Sequence, residues 1–242
     1  MSHILEVLLL ATLPAVGVIV GSLLAESIRT PKWLIGASLH ATAGVAIALV
    51  SVNIMPRILI DTPIWLIVVS FLAGAGVSVL IASFWGSYRH RPGSGSTGAW
   101  MVCVAVATDL VSDGLMVGAG AAIGGQLGVL FAATQSIANI PGGFAATANL
   151  RDDGLPRNLR LGLSSFMLVP SLASAGIGFF VLRDASSLVH SAVLAAFVGI
   201  LLLATVEDVI PQGDEPAPPR RISTTAFALG FVGLLILSSL LG

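Results

Sequence analysis

Long apolar runs of roughly 20 residues alternate with short polar stretches along the whole chain. A helix needs roughly 20 apolar residues to cross the hydrocarbon core of a bilayer, so each run predicts one transmembrane helix. The pattern therefore predicts an all-α membrane protein that forms a single polytopic domain over residues 1–242. The eight predicted spans are residues 4–25, 33–55, 63–84, 100–122, 127–150, 161–182, 188–210 and 223–242.

The polar stretches between the runs are predicted to be loops. Residues 85–99 are rich in Gly and Ser and predict a flexible linker. Residues 151–160 form the most charged stretch of the chain and are expected to lie in water. A proline-rich link, residues 211–219, separates the last two spans.

The amino-acid composition supports the prediction of a membrane protein and excludes other classes of protein. With 56% hydrophobic residues, 10% charged residues and a mean hydropathy of +1.00, the chain is not an ordinary soluble domain. A net charge of -1 and little aqueous surface leave no basic face for nucleic acid. Cys103 is the only cysteine, so an internal disulfide is excluded. Residues 4–25 follow no basic region and are expected to be a first span rather than a removable signal.

The basic residues predict the orientation, because loops rich in Lys and Arg stay on the cytoplasmic side. If the first span runs inward, the outer loops hold only Arg57 and Arg183. The inner loops then hold the other nine of the 11 basic residues: Arg29, Lys32, Arg89, Arg91, Arg151, Arg157, Arg160, Arg220 and Arg221. Both termini are therefore expected outside the cytoplasm, with a bacterial plasma membrane as the expected location.

Polar side chains inside spans four and five are the candidate functional residues. Asp109 and Asp113 lie four residues apart, so a helix places them on one face, one turn apart. Gln135 and Asn139 have the same spacing in span five. A carboxylate inside a membrane is costly and is by default a functional-site hypothesis. Pro141, with Gly142 and Gly143, is expected to break span five and to free a backbone carbonyl for the site.

Short motifs recur in spans that cross the membrane in opposite directions. Span two ends in Asn53-Ile-Met-Pro56 and span seven in Asp208-Val-Ile-Pro211. Spans four and five contain Ser112-Asp-Gly-Leu115 and Pro141-Gly-Gly-Phe144. Inverted repeats of this kind are typical of secondary transporters, whose site lies near the membrane midplane.

These motifs resemble those of the ZIP (ZRT/IRT-like) metal-ion transporters over essentially the whole chain. The resemblance implies an inverted-repeat fold of eight spans with both termini outside, and a binuclear metal site between spans four and five. The matching stretches are Asp109-Leu-Val-Ser-Asp113-Gly114 in span four, Ala138-Asn-Ile-Pro141-Gly142-Gly143 in span five, residues 39–57 in span two, Ser171-Leu-Ala-Ser174-Ala-Gly176 in span six and Glu207-Asp-Val-Ile-Pro211 in span seven.

The chain departs from that family at most of its metal-ligand positions. Asp113 keeps a carboxylate and Asp109 replaces a histidine, whereas the remaining positions lack the expected ligand: Leu110, Ala138, Asn139, Gly142 and Ser174. The family's histidine-rich cytoplasmic loop is also missing. The predicted ligands are Asp109 and Asp113, with Gln135 and Asn139 as secondary oxygen ligands. An all-oxygen set suits a harder cation such as Mn²⁺, Mg²⁺ or Ca²⁺ better than Zn²⁺.

The resulting prediction is a ZIP-like transporter of divalent metal cations, without a resident cofactor and without enzymatic activity. Its pathway would lie between spans two, four, five and seven. Its expected partners are the lipid bilayer and the transported ion, and a homodimer is compatible with the fold.

Several alternatives stay open at this point. The chain could transport a different ion or polar solute, or bind without transporting. Asp113 could be protonated and hydrogen-bonded across to span five, with Asn139 and Gln135 joining helices only. His40 is more simply a packed polar residue than a ligand. An acid/base dyad of Asp109 and Asp113 is disfavoured, because two carboxylates on one helix face do not converge from opposite sides on a reacting bond.

Overall fold

The computed structural model describes residues 2–27, 31–89, 95–215 and 218–241, and these residues are helical apart from short connections. The predicted loop residues 28–30, 90–94, 216 and 217 lie outside the described residues. In chain order the α-helices are α1 (Ser2–Ser27), α2 (Lys32–Ala48), α3 (Met55–Asp61), α4 (Ile64–Arg89), α5 (Gly95–Ile123), α6 (Gly125–Asp152), α7 (Arg157–Phe166), α8 (Leu168–Leu182), α9 (Ser187–Ala204), α10 (Ile210–Asp214) and α11 (Arg220–Leu241).

The all-α membrane class is confirmed. Among the described residues, seven helical stretches are long and apolar enough to cross a membrane, as in an integral membrane protein. Large apolar side chains are exposed along them, for example Leu9 at 62% and Leu80 at 71%, as lipid-facing side chains would be. The seven are His3–Ser27, Trp33–Asp61, Ile64–Ser83, Val106–Ile123, Arg157–Leu182, Ser187–Asp214 and Arg220–Leu240.

Span five of the prediction, residues 127–150, corresponds to α6, which is long but is not among the seven apolar stretches. Its polar side chains, Gln135 and Asn139 among them, lower its apolar content. Buried residues occur along its whole length, because it packs against α1 and α5. A helix enclosed in this way can hold polar groups that a lipid-facing helix cannot.

Contacts divide the chain into two compact units, each assembled from segments far apart in sequence. The first unit comprises residues 1–30 and 87–184, and the second comprises residues 31–86 and 185–242. Spans one, four, five and six therefore belong to the first unit, and spans two, three, seven and eight to the second. The four spans assigned to the pathway are divided equally between them.

Glycines allow the helices within each unit to pack backbone to backbone. In the first unit, a Cβ on Gly17 of α1 would lie 2.0 Å from the Ser136 carbonyl oxygen of α6. In the second unit, a Cβ on Gly44 of α2 would lie 2.0 Å from the Phe227 oxygen of α11. Small residues at such contacts are typical of transmembrane helix pairs.

Two π-helical segments occur at corresponding places in the second unit. Leu49–Ile54 joins α2 to α3, and Thr205–Val209 joins α9 to α10. Both helices therefore continue past the prolines at which spans two and seven are expected to end, to Asp61 and Asp214. A proline cannot donate a backbone hydrogen bond and crowds the carbonyl four residues earlier, so the preceding bonds shift register without ending the helix.

The predicted linker at residues 85–99 is also wrong where the structure describes it. Helix α4 continues to Arg89 and α5 begins at Gly95, so helix replaces ten of those residues. Each residue added to an existing helix contributes a hydrogen bond, and Gly and Ser weaken this extension without preventing it.

Candidate cation site

The two aspartates lie on α5, one turn apart, but in different surroundings. Asp113 is buried, with 7% of its surface exposed, whereas Asp109 is exposed. The two carboxyl groups are close enough to interact electrostatically. The prediction that one helix face carries both groups is compatible with this arrangement, and only Asp113 reaches into the packed interior.

Asn139 connects three helices of the first unit at the buried aspartate. Its Nδ2 donates a 2.7 Å hydrogen bond to Oδ2 of Asp113, across the α5–α6 interface. The same nitrogen lies 3.4 Å from the backbone oxygen of Pro14 on α1. The predicted partners from spans four and five are thus brought together, and the contact to α1 is one that the sequence did not reveal.

Gln135 lies one turn before Asn139, is buried, and also faces α5. Its Nε2 donates to Sδ of Met116 at 3.7 Å, a distance that suits a weak hydrogen bond to sulfur. Met116 lies three residues after Asp113 on α5. Helical spacing alone therefore places these two side chains next to each other. Both amides therefore direct their N–H groups, rather than their oxygens, at side chains of α5.

Helix α8 packs against α5 immediately beside Asp113. A Cβ on Gly114 would lie 2.1 Å from Oγ of Ser174 and 2.3 Å from the Ser171 oxygen, so no larger residue fits there. Ser174 donates to the Pro170 oxygen of its own helix at 2.8 Å. The Ser174 hydroxyl is therefore satisfied within its own helix.

The break predicted at Pro141 does not occur, because α6 is a continuous helix from Gly125 to Asp152 with Pro141 buried inside it. Packing against α1 and α5 holds the helix together where one backbone bond is missing. A break occurs instead in span six, at Met167 between α7 and α8. Pro170 follows it, and its missing N–H would otherwise bond the oxygen of Phe166, the last residue of α7.

Polar residues of the second unit have partners of their own. His40 Nδ1 lies 2.9 Å from the Gly36 oxygen, and Nε2 lies 3.2 Å from Oδ1 of Asp214, so His40 packs as a polar residue with two contacts. Asn53 Nδ2 donates to Ser238 Oγ at 2.9 Å. Glu207 and Asp208 both lie on the second π-helical segment.

The chemistry of the site is therefore that of carboxylate and amide groups. Across the part of the chain that the structure describes, no three His, Cys, Asp or Glu side chains are grouped closely enough to hold a metal ion on their own. Backbone carbonyls and amide oxygens would have to complete a coordination shell around Asp113. Such oxygen-rich shells are those that Ca²⁺, Mg²⁺ and Mn²⁺ accept.

Comparison with known proteins adds no family assignment. No model of a known protein family matches the chain, and a search of curated proteins gives no match.

Proposed function

We propose that the chain is a divergent ZIP-like membrane transporter that moves a hard divalent cation such as Mn²⁺, Mg²⁺ or Ca²⁺. The site is formed by α5 and α6 within the first unit. Asp113 is the inner ligand, Asp109 the outer one, and Asn139 and Gln135 are secondary groups. The proposal extends to a bacterial plasma membrane with both termini outside the cytoplasm.

The observation that carries this proposal is the buried carboxylate of Asp113, in contact with a polar group from a second helix. A polar contact alone would account for two helices that pack together. It does not account for a second carboxylate one turn away that is exposed on a helix of membrane-spanning composition. An exposed Asp109 beside a buried Asp113 would suit a cation that passes from an outer carboxylate to an inner one.

Transport is favoured over catalysis by the same geometry. Both carboxylates project from one helix, and the groups opposite them on α6 are amides, which do not act as general acids or bases. Carboxylates on one helix, opposite amides that could turn their oxygens toward them, instead suit the capture of a cation.

The test is cation uptake into vesicles that contain the purified protein. Replacing both acids, Asp109→Asn with Asp113→Asn, keeps the side-chain size and removes both charges. We expect uptake to fall at least tenfold for whichever of Mn²⁺, Mg²⁺ and Ca²⁺ the unaltered protein transports. Calorimetric titration of the same proteins with the same ions should show that binding is lost as well.

Asp184→Asn is the matched control, because Asp184 is exposed and pairs with its neighbour Arg183. Uptake by this variant should equal that of the unaltered protein. Unchanged uptake and binding in the double Asp109/Asp113 variant would show that the site is wrongly assigned. An unaltered protein that takes up no cation from the panel would favour a different ion or a polar solute.

A further inference from the structure

The hydrogen bonds of Asn139 fix the direction in which its amide points. The backbone oxygen of Pro14 can only accept a hydrogen bond, and Nδ2 lies 3.4 Å from it. The same nitrogen donates to Oδ2 of Asp113 at 2.7 Å. An amide –NH₂ has two hydrogens, so each acceptor receives one. The amide oxygen must therefore lie on the other side of Cγ, away from both acceptors.

In this arrangement the amide stands where a cation would have to bind. A cation at Oδ2 of Asp113 would meet the two N–H groups, which carry partial positive charge and offer it no lone pair. The –NH₂ group thus satisfies the buried carboxylate in the absence of an ion. A cation that binds at Oδ2 has to displace it.

Rotation of the Asn139 amide would produce a different site. Exchanging Nδ2 and Oδ1 turns the amide oxygen toward Oδ2 of Asp113 and the Pro14 oxygen. Three oxygens from α5, α6 and α1 would then face one another, which is repulsive unless a cation lies between them. Such a torsion between an sp³ and an sp² carbon has broad, nearly two-fold preferences, so the rotation itself is easy.

The structure leaves space for this movement. Asn139 is only partly buried. Gly142 lies three residues further along α6, on a similar face, and a Cβ added there would meet a single neighbour, Cγ2 of Val106 at 4.0 Å. The tightly packed Gly143 beside it would instead place a Cβ 2.2 Å from the Val18 oxygen. Packing is therefore looser at Gly142, near Val106 of α5, than at Gly143, near Val18 of α1.

We propose that Asn139 is a latch on the cation site: its –NH₂ group caps Asp113 when no ion is bound, and its amide rotates to become an oxygen ligand when a cation enters. The inference rests on the proposed function. Asn139 changes from a hydrogen-bond donor to a cation ligand when the ion binds. A secondary ligand that keeps one orientation would show no such change. The Pro14 carbonyl becomes the third oxygen of the occupied site.

The first measurement uses the unaltered protein in detergent, labelled with ¹⁵N in its asparagine side chains. Titration with Mg²⁺ or Ca²⁺, which are not paramagnetic, should move the Asn139 side-chain N–H signals as their hydrogen bond to the carboxylate is lost. Asn149 lies on the same helix and is exposed, so its signals should stay in place. Binding without any movement of the Asn139 signals would overturn the latch and leave the proposed function intact.

The second measurement compares Asn139→Asp with Asn149→Asp by calorimetric titration with Mg²⁺, Ca²⁺ and Mn²⁺. Asn139→Asp supplies an oxygen ligand that needs no rotation and removes the competing donors, so we expect binding at least tenfold tighter. Asn149→Asp should change affinity less than twofold. An Asn139→Asp affinity within twofold of the unaltered protein contradicts the latch. If neither the unaltered protein nor Asn139→Asp binds any of the three ions, both the proposed function and the latch are wrong.

Discussion

Buried acidic side chains of the first unit are stabilised in two different ways. Asp113 lies deep in a helix of membrane-spanning composition and is met by an amide. Glu26, near the end of α1, is met by the guanidinium of Arg160 on α7, through Nε to Oε1 at 2.6 Å and Nη2 to Oε2 at 2.8 Å. Two parallel bonds between oppositely charged groups engage both oxygens of the buried carboxylate.

The Glu26–Arg160 pair is predicted to be essential to the first unit. Both side chains are buried, with 6% and 9% of their surfaces exposed. Arg160→Met should lower the free energy of unfolding by about 3–5 kcal/mol, because it leaves the Glu26 carboxylate buried without its partner. The measurement is unfolding of the purified protein in detergent by heat or denaturant.

Arg157 provides the matched control for that prediction. Its Nε lies 3.7 Å from Oε2 of the same glutamate, but 67% of its side chain is exposed. Arg157→Met should therefore change stability by less than about 1 kcal/mol. A loss as large as that of Arg160→Met would mean that burial does not distinguish the two ion pairs.

At the residue scale, helical spacing in the sequence predicted which candidate side chains share a helix face. Helical spacing placed Asp109 and Asp113 on one face and Gln135 and Asn139 on another, because spacing depends only on the geometry of one helix. It could not predict that N–H groups, rather than oxygens, would face α5. The direction of an amide depends on acceptors from other helices, and the Pro14 oxygen is an acceptor that no side-chain pattern reveals.

At the element scale, the two π-helical segments show that a short sequence motif can determine local helix geometry. Asn53-Ile-Met-Pro56 and Asp208-Val-Ile-Pro211 share a sequence pattern, and each begins within a π-helical segment. The N–H of Met55 bonds the Val50 oxygen, and that of Ile210 bonds the Thr205 oxygen, each five residues back. The local geometry follows the motif because the proline acts within its own helix.

Prolines elsewhere had effects that the sequence alone did not predict. Pro141 leaves α6 continuous, whereas span six is interrupted just before Pro170. A proline removes one backbone bond in either case. Packing of the surrounding helices determines whether the helix tolerates that loss.

Glycine contacts between helices give a prediction with an internal control on α4. A Cβ on Gly74 would lie 2.0 Å from the Ala196 oxygen of α9, whereas one on Gly76 would meet nothing within 4 Å. Gly74→Ala should therefore destabilise the protein by at least about 2 kcal/mol, as the two helices are forced apart. Gly76→Ala should stabilise it by about 0.5–1 kcal/mol, since alanine is the better helix former.

Thermal unfolding in detergent measures both changes. A second pair of substitutions, Gly230→Ala and Gly233→Ala on α11, repeats the comparison. A Cβ on Gly230 would lie 2.0 Å from the Ala41 oxygen of α2, whereas one on Gly233 would meet nothing within 4 Å. Equal effects of the two substitutions within either pair would show that the close helix contacts are not formed.

The whole molecule consists of two units that are each discontinuous in sequence. The first unit takes span one from the beginning of the chain and spans four to six from its middle, and the second takes the remaining four. Each unit buries its own helix contacts, such as α1 on α6 in the first and α2 on α11 in the second. The enclosed helix α6, with its polar residues, belongs to the first unit.

Locating the two ends of the chain relative to the membrane tests the number of spans. An even number places both ends on the same side, and an odd number places them on opposite sides. If α6 crosses the membrane, there are eight crossings, and both ends lie on the same, non-cytoplasmic side. In a Cys103→Ser background, His3→Cys and Ser239→Cys should both react with an impermeant maleimide added to intact cells. Arg157→Cys, at the first residue of α7 and within the predicted cytoplasmic stretch 151–160, should react only after the cells are permeabilised.

All three positions are exposed in the structure, so poor access within the fold would not explain a failure to react. Reaction of His3→Cys and Ser239→Cys from opposite sides would show an odd number of crossings and would exclude α6 as a span. Reaction of both only after permeabilisation would reverse the predicted orientation and keep the number of spans.

The sequence by itself determined the membrane class, the approximate positions of the helices and the two aspartates on one helix face. These properties depend on apolar content over roughly 20 residues and on the repeat of a single helix. Only the tertiary structure decided which spans form each unit, where a proline breaks a helix, and which atoms meet Asp113. Those outcomes depend on contacts between segments far apart in sequence, such as the bond from Asn139 to Asp113.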